Sequence, residues 1–258
     1  MKDMRSAIVP VLVLAICAGG INVFLELADD MSEQELAKVD NFLFLLFRNR
    51  QDVSDPLGPF WVEEFMTEIT ALGGYPVLMV LVGIVIGFLL VARKSGPALF
   101  VFLSVGSGTL VGQLLKMFYD RPRPDLVDHL VTTHTASFPS GHATMSAVVY
   151  LTLAALIVRL VDSVAVRVYV ASVAVLLTLA VGLSRIYLGV HWPSDVAAGW
   201  ALGAAWASLS WLVVSGLKAW RSRSRSRAEL NRPSPRSSAA LSPSADNKNP
   251  AGAGSLDQ

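Results

Sequence analysis

The chain has 258 residues, 53% of them hydrophobic and 16% charged, with a mean hydropathy of +0.53. Apolar residues gathered into long runs weigh against a soluble single domain, because a bilayer core about 30 Å thick is crossed by roughly 20 apolar residues, a length several runs reach. The formal net charge of +1 excludes nothing, since placement and not sum orients a membrane protein, while the single cysteine, Cys17, excludes an internal disulfide.

In chain order, Lys2 and Arg5 precede the first apolar run, as in a secretory signal, and Leu14-Ala15-Ile16-Cys17 superficially resembles a lipoprotein cleavage site. Ile16 stands where such a site wants a small residue, and the run continues to Leu27, so an uncleaved first span is expected, with Cys17 as a small core residue. Six spans are predicted in all: residues 7–28, 72–92, 97–117, 141–161, 166–186 and 193–217. Between the first two lies an acidic loop that includes Asp40, with short apolar stretches at 42–47 and 60–65 that are expected along the membrane surface. Small residues four apart, such as Gly83 and Gly87, or Ser104, Gly108 and Gly112, predict close helix contacts, within one chain or between subunits. With the N-terminus cytoplasmic, 14 lysines and arginines fall on the cytoplasmic side against 7 opposite, so both termini are expected in the cytoplasm. After Trp220 an alternating Arg-Ser run leads into a Ser-, Pro- and Ala-rich end, expected to be a disordered tail over 221–258 that meets anionic headgroups and not nucleic acid. The fold class is thus all-α, a six-transmembrane-helix bundle over 1–220.

Three clusters put ionisable groups at predicted helix ends on one side of the membrane. They are Lys116 to Pro124 after span 3, Pro139-Ser140-Gly141-His142 opening span 4, and Ser184-Arg185 through His191 to Asp195 between spans 5 and 6. In that order they read K-x6-R-P, P-S-G-H and S-R-x5-H-x3-D, and the set resembles the tripartite signature of the type 2 phosphatidic acid phosphatase superfamily. The resemblance covers about residues 66–217. Thr70-Ala71-Leu72-Gly73-Gly74 and the preceding loop look similar to bacterial phosphatidylglycerophosphate phosphatase B-type members. Of the two Arg-Pro pairs, only Arg123 stands seven residues after Lys116; Arg121 is left as an accessory phosphate contact or a solvated loop charge.

Phosphoryl transfer spreads negative charge over the equatorial oxygens, so it needs fixed positive donors, which Lys116, Arg123 and Arg185 supply. Any one of them alone would read as a headgroup anchor. Ser140 and Gly141 at a helix start offer unpaired amides to an anion; otherwise Ser140 is a plain N-cap. His191 is the expected nucleophile and Asp195, four residues on, the carboxylate that fixes its tautomer, although Asp195 by itself also suits a helix N-terminus. The resemblance implies that His142 protonates the leaving group and then activates water, without a metal or other cofactor. His129 and His134 read as solvated loop residues.

The expected function is an integral membrane lipid phosphate or diphosphate phosphatase that works through a phosphohistidine. Its expected site is the extracytoplasmic face of a bacterial plasma membrane, acting on a lipid such as phosphatidylglycerophosphate, phosphatidate or undecaprenyl diphosphate. Phosphotransfer to another acceptor and a non-catalytic phospholipid binder or transporter are the alternatives. Membrane lipids are the expected partners, and oligomeric state is not legible.

Overall fold

A computed structural model of the full chain describes residues 2–124 and 135–230, with side chains described from residue 8 to 124 and from 135 to 224. Among these residues the fold is all-helical, with eight helices: α1 (Lys2–Ser32), α2 (Ala37–Leu45), α3 (Phe60–Ala71), α4 (Tyr75–Val91), α5 (Ser95–Tyr119), α6 (Gly141–Leu160), α7 (Val164–Tyr187) and α8 (Pro193–Leu230). The chain divides into two compact units, Met1–Ser215 and Gly216–Gln258. The second is helical through Leu230, ten residues past the expected start of the tail; the rest of that tail, like His129 and His134, lies outside the described residues.

Five helices are long and apolar enough to cross a membrane, and six spans result if α3 and α4, bent by 46°, count as one. Large apolar side chains such as Val80, Ile84 and Phe88 on α4, and Leu99, Phe102 and Leu110 on α5, point outward, an arrangement that lipid tolerates and water does not. Helix α6 is the hub. In its most apolar stretch 67% of residues are buried, against 11% for α1, and it packs against α4, α5 and α7 around Val101, Val148 and Val149. Cys17 is buried, as a small core residue should be.

The second expected span, 72–92, corresponds to α4, and the apolar stretch at 60–65 starts α3, which packs against α7 and then turns into α4. The corner has no room for a side chain at Gly73, since a Cβ there would sit 2.2 Å from Val181 Cγ1 and 3.4 Å from the His142 Cβ. Tyr150 clasps the same corner by donating to the Leu72 carbonyl at 2.7 Å. The small-residue pattern divides: Gly83 and Gly87 face open space, whereas Gly108 lies under Trp206 and Ser104 is hydrogen-bonded to Thr152 across α5 and α6 at 3.0 Å.

Candidate active site

The end of α5, the start of α6, the end of α7 and the start of α8 meet at one pole of the first unit, together with the α3–α4 corner and α2. The joints are short. Ser140 N–H donates to the Asp195 carbonyl at 3.0 Å, tying the start of α6 to the first turn of α8. Arg123 Nη1 donates to the Val190 carbonyl at 2.5 Å and to His191 Nε2 at 3.2 Å. Residues 120 to 123 and 190 to 195 therefore share one side.

His191 is 1% exposed. Because an arginine N–H can only donate, Nε2 must accept and Nδ1 carries the proton. Nδ1 faces Asp195 Oδ2 and Ser137 Oγ, each at 3.4 Å, long contacts that leave room to tighten. Burial pushes the His191 pKa from its ordinary 6.5 down to about 3, with Arg123 and Arg185 pushing the same way, against the pull of Asp195. The imidazole is therefore neutral, its Nε2 lone pair turned toward cations.

Asp195 is fully buried and multiply bonded. Oδ1 accepts from Arg121 Nη1 at 2.6 Å; Oδ2 accepts from the Trp192 amide at 2.9 Å and from Ser137 Oγ. The Trp192 bond is the carboxylate half of a capping box, so Asp195 finishes the helix start and orients the imidazole with the same oxygen. Both terminal nitrogens of Arg121 are taken, since Nη2 donates to Asp40 Oδ2 at 2.8 Å. Arg121 is thus neither a solvated loop charge nor a free anion contact, because two buried carboxylates outcompete water for its fork.

Lys116, buried at the last turn of α5, donates to the Ala136 carbonyl and lies beside Gly141, whose absent Cβ would sit 3.5 Å from Lys116 Cε. Arg185, 4% exposed, donates from Nη1 to Thr70 Oγ1 at 3.0 Å, and its Nε has no partner among the described residues. Ser140 occupies the N-cap of α6, yet its side chain makes no capping bond, and its buried Oγ is likewise unpartnered. The first amides of α6, at Gly141 to Ala143, lack acceptors within the helix by its geometry. Two buried side-chain donors and a helix start are thus left for an anion. His142 is half-buried, within electrostatic reach of Arg185, Lys116 and Arg123.

All nine residues expected at the site fall at this pole. Sequence reasoning missed Ser137 and Asp40, which carry no local signal: Asp40 is one acid in a loop full of them, and Ser137 lies outside every motif. Thr70 belongs to the stretch noted for its similarity, though its bond to Arg185 was not foreseen. Arg48, in the segment between α2 and α3, is 3% exposed; it donates to the Tyr187 carbonyl at 3.0 Å and so caps the end of α7. Among the described residues no cluster of three or more histidine, cysteine or acidic side chains has metal-ligand geometry. A cavity of about 650 Å³ adjoins the site, lined by Asp40, Asn41, Tyr119, Arg121, Arg123 and Trp192 among others.

A neutral imidazole backed by a carboxylate and fronted by cations, set where apolar helices end, defines the class of membrane phosphatases. Comparison with known proteins narrows it. A model of the PAP2 superfamily matches residues 97–219. Phosphatidylglycerophosphatase B of Bacillus subtilis is 36% identical over 146 residues, which cover 55% of this chain and 70% of that protein. Decaprenylphosphoryl-5-phosphoribose phosphatase of Mycobacterium tuberculosis is 35% identical over 153 residues, 55% of this chain and 77% of that one. The crystal structure of a transmembrane PAP2-type phosphatidylglycerolphosphate phosphatase from Bacillus subtilis superposes with a TM-score of 0.65 at 30% identity, covering 76% of this chain and 94% of that one. The chain belongs to the PAP2 superfamily and is a multi-pass membrane enzyme of its lipid phosphate phosphatase branch.

Proposed function

We propose that the protein hydrolyses a lipid phosphate at the extracytoplasmic face of a bacterial plasma membrane through a phospho-His191 intermediate, from six crossings that leave both termini in the cytoplasm. The observation that carries this is the His191 Nε2 lone pair directed at Arg123, beside the unpartnered Ser140 Oγ and Arg185 Nε.

The phosphoryl oxygens accept from Arg123, Arg185, Lys116, Ser140 and the α6 amides. Arg123 thereby trades its bond to Nε2 for bonds to substrate and uncovers the lone pair. Nε2 attacks phosphorus as the bond to the leaving oxygen breaks, and that oxygen takes its proton from His142. Asp195 stabilises the imidazolium that forms on His191. His142, now neutral, takes a proton from water, whose oxygen displaces Nε2 and releases inorganic phosphate. A buried cation cluster stabilises charge far more strongly here than in water.

The relatives named above are phosphatases of phosphatidylglycerophosphate and decaprenylphosphoryl-5-phosphoribose, both with hydroxylated headgroups. Phosphatidylglycerophosphate is therefore the first substrate to test, ahead of phosphatidate and undecaprenyl diphosphate. Purified protein in detergent, given each lipid with labelled phosphate, is expected to release inorganic phosphate and to trap an acid-labile phosphoenzyme on quenching. His191→Ala should abolish both. Normal release by His191→Ala would refute the mechanism, label appearing on another acceptor would favour phosphotransfer, and no release from any lipid would favour a binder.

A further inference from the structure

Helix α2 lies outside the three clusters that define the site, yet it sends one buried carboxylate into it. Asp40 is 2% exposed. Its Oδ1 accepts from the Ser194 amide at 2.8 Å, and its Oδ2 accepts from Ser194 Oγ at 2.6 Å and Arg121 Nη2 at 2.8 Å. Through the planar fork of Arg121 the chain of contacts reaches Asp195 Oδ1 at 2.6 Å, and through Asp195 it reaches His191.

We propose that Asp40 is a positioning residue for the reaction, holding Arg121 so that Asp195 stays aimed at His191. The proposal rests on the phospho-His191 reading. Asp195, fully buried, depends on Arg121 for a counter-charge, and a guanidinium bonded at one end only is free to swing about its long stem. Asp40 fixes the other end. It also satisfies a free amide in the first turn of α8, so it holds both the carboxylate's counter-ion and the helix that carries the carboxylate. Arg121 also lies 5.9 Å from the centre of the Trp192 ring, and the Trp192 amide binds Asp195, so a shift of Arg121 disturbs Asp195 at both oxygens.

A purely structural part for Asp40, docking α2 and capping α8, makes a different prediction, and a double-mutant cycle separates the two. Full-length wild type, Asp40→Asn, Asp195→Asn and the double variant are compared in detergent for single-turnover and steady-state phosphate release from phosphatidylglycerophosphate. The positioning role predicts that Asp40→Asn lowers kcat by roughly ten- to a hundredfold, with KM changed less than about twofold. It also predicts that adding Asp40→Asn to Asp195→Asn costs almost nothing more, because the carboxylate it acts through is already neutral. Arg121→Met repeats the cycle from the other side of the contact and serves if Asp40→Asn does not fold. Arg48→Met removes the contact between the same loop and the end of α7 without touching the carboxylate chain, so kcat per folded molecule should hold.

Wild-type kcat in Asp40→Asn overturns the proposal. So does an equal cost in both backgrounds, or an Arg48→Met variant that mimics Asp40→Asn in kcat. Failure of the wild-type protein to release phosphate from any lipid sinks the phosphatase reading itself, and the positioning role with it.

Discussion

Gly199 sits one turn beyond Asp195 on the face of α8 that meets α6. A Cβ placed there would lie 2.9 Å from both Ala143 Cβ and the Ser140 carbonyl oxygen, and 3.1 Å from the Thr144 amide nitrogen. Ordinary carbon contacts begin near 3.5 Å, so Gly199→Ala forces the starts of the two helices apart by about 0.6 Å. The Ser140 N–H to Asp195 carbonyl bond spans that gap at 3.0 Å. Opened by the same amount it would reach roughly 3.6 Å, past hydrogen-bond length. His142 rides on one helix and Asp195 on the other. If a 1 Å misplacement costs about a hundredfold, half of that costs roughly tenfold in kcat, alongside an overpacking cost of about 1–3 kcal/mol. Gly203, one turn further on, supplies the control. Its Cβ would meet Ala147 Cβ at 2.4 Å and the Thr144 carbonyl at 2.7 Å, a worse clash farther from the chemistry. Phosphate release and thermal melting in detergent should show Gly203→Ala losing more stability and Gly199→Ala losing more kcat per folded molecule. Wild-type kcat in Gly199→Ala, or activity tracking stability equally in both, would refute the claim that α6–α8 spacing sets the catalytic geometry.

Arg185→Met should cut kcat/KM by about 10²–10³-fold, the usual cost of one donor to the transition state, while the melting temperature holds or rises, because a buried guanidinium with an unpartnered Nε costs the empty protein stability. Unfolding at matched activity loss would count against an anion-binding role. The unfolded His191 takes up a proton below pH 6.5 while the folded one resists down to about 3, so stability should fall as pH drops through that window, and His191→Asn should remove that part of the slope in melting experiments. A melting profile unchanged by the substitution would contradict neutral burial. Since Lys116, Arg123 and Arg185 supply the positive charge, release of phosphate should persist in excess chelator, and its abolition would assign that charge to a metal.

Sequence alone determined the parts of this protein that follow from local composition and spacing. Long apolar runs must leave water, so the helices at 8–32, 95–119, 141–160 and 164–187 were legible to within four residues and the last at its start, and Lys116, Arg123, His142, Arg185, His191 and Asp195 announced themselves as polar groups at the ends of such runs. Their convergence at one pole followed because successive crossings return alternate helix ends to the same side.

The close seat of the α3–α4 corner was not legible, because the partner that leaves no room for a side chain at Gly73 is Val181, a residue of α7 more than a hundred positions away. Nor was the role of Asp40, which only acquires meaning when α2 folds back on the start of α8, 154 residues later. Arg121 shows the limit most sharply. Its motif position left phosphate and solvent as equal destinations, and the fold supplied two buried carboxylates instead. Helix length and residue spacing are set along the chain, whereas the partner of a buried charge is set by which distant groups the packing delivers and by the cost of leaving that charge without one.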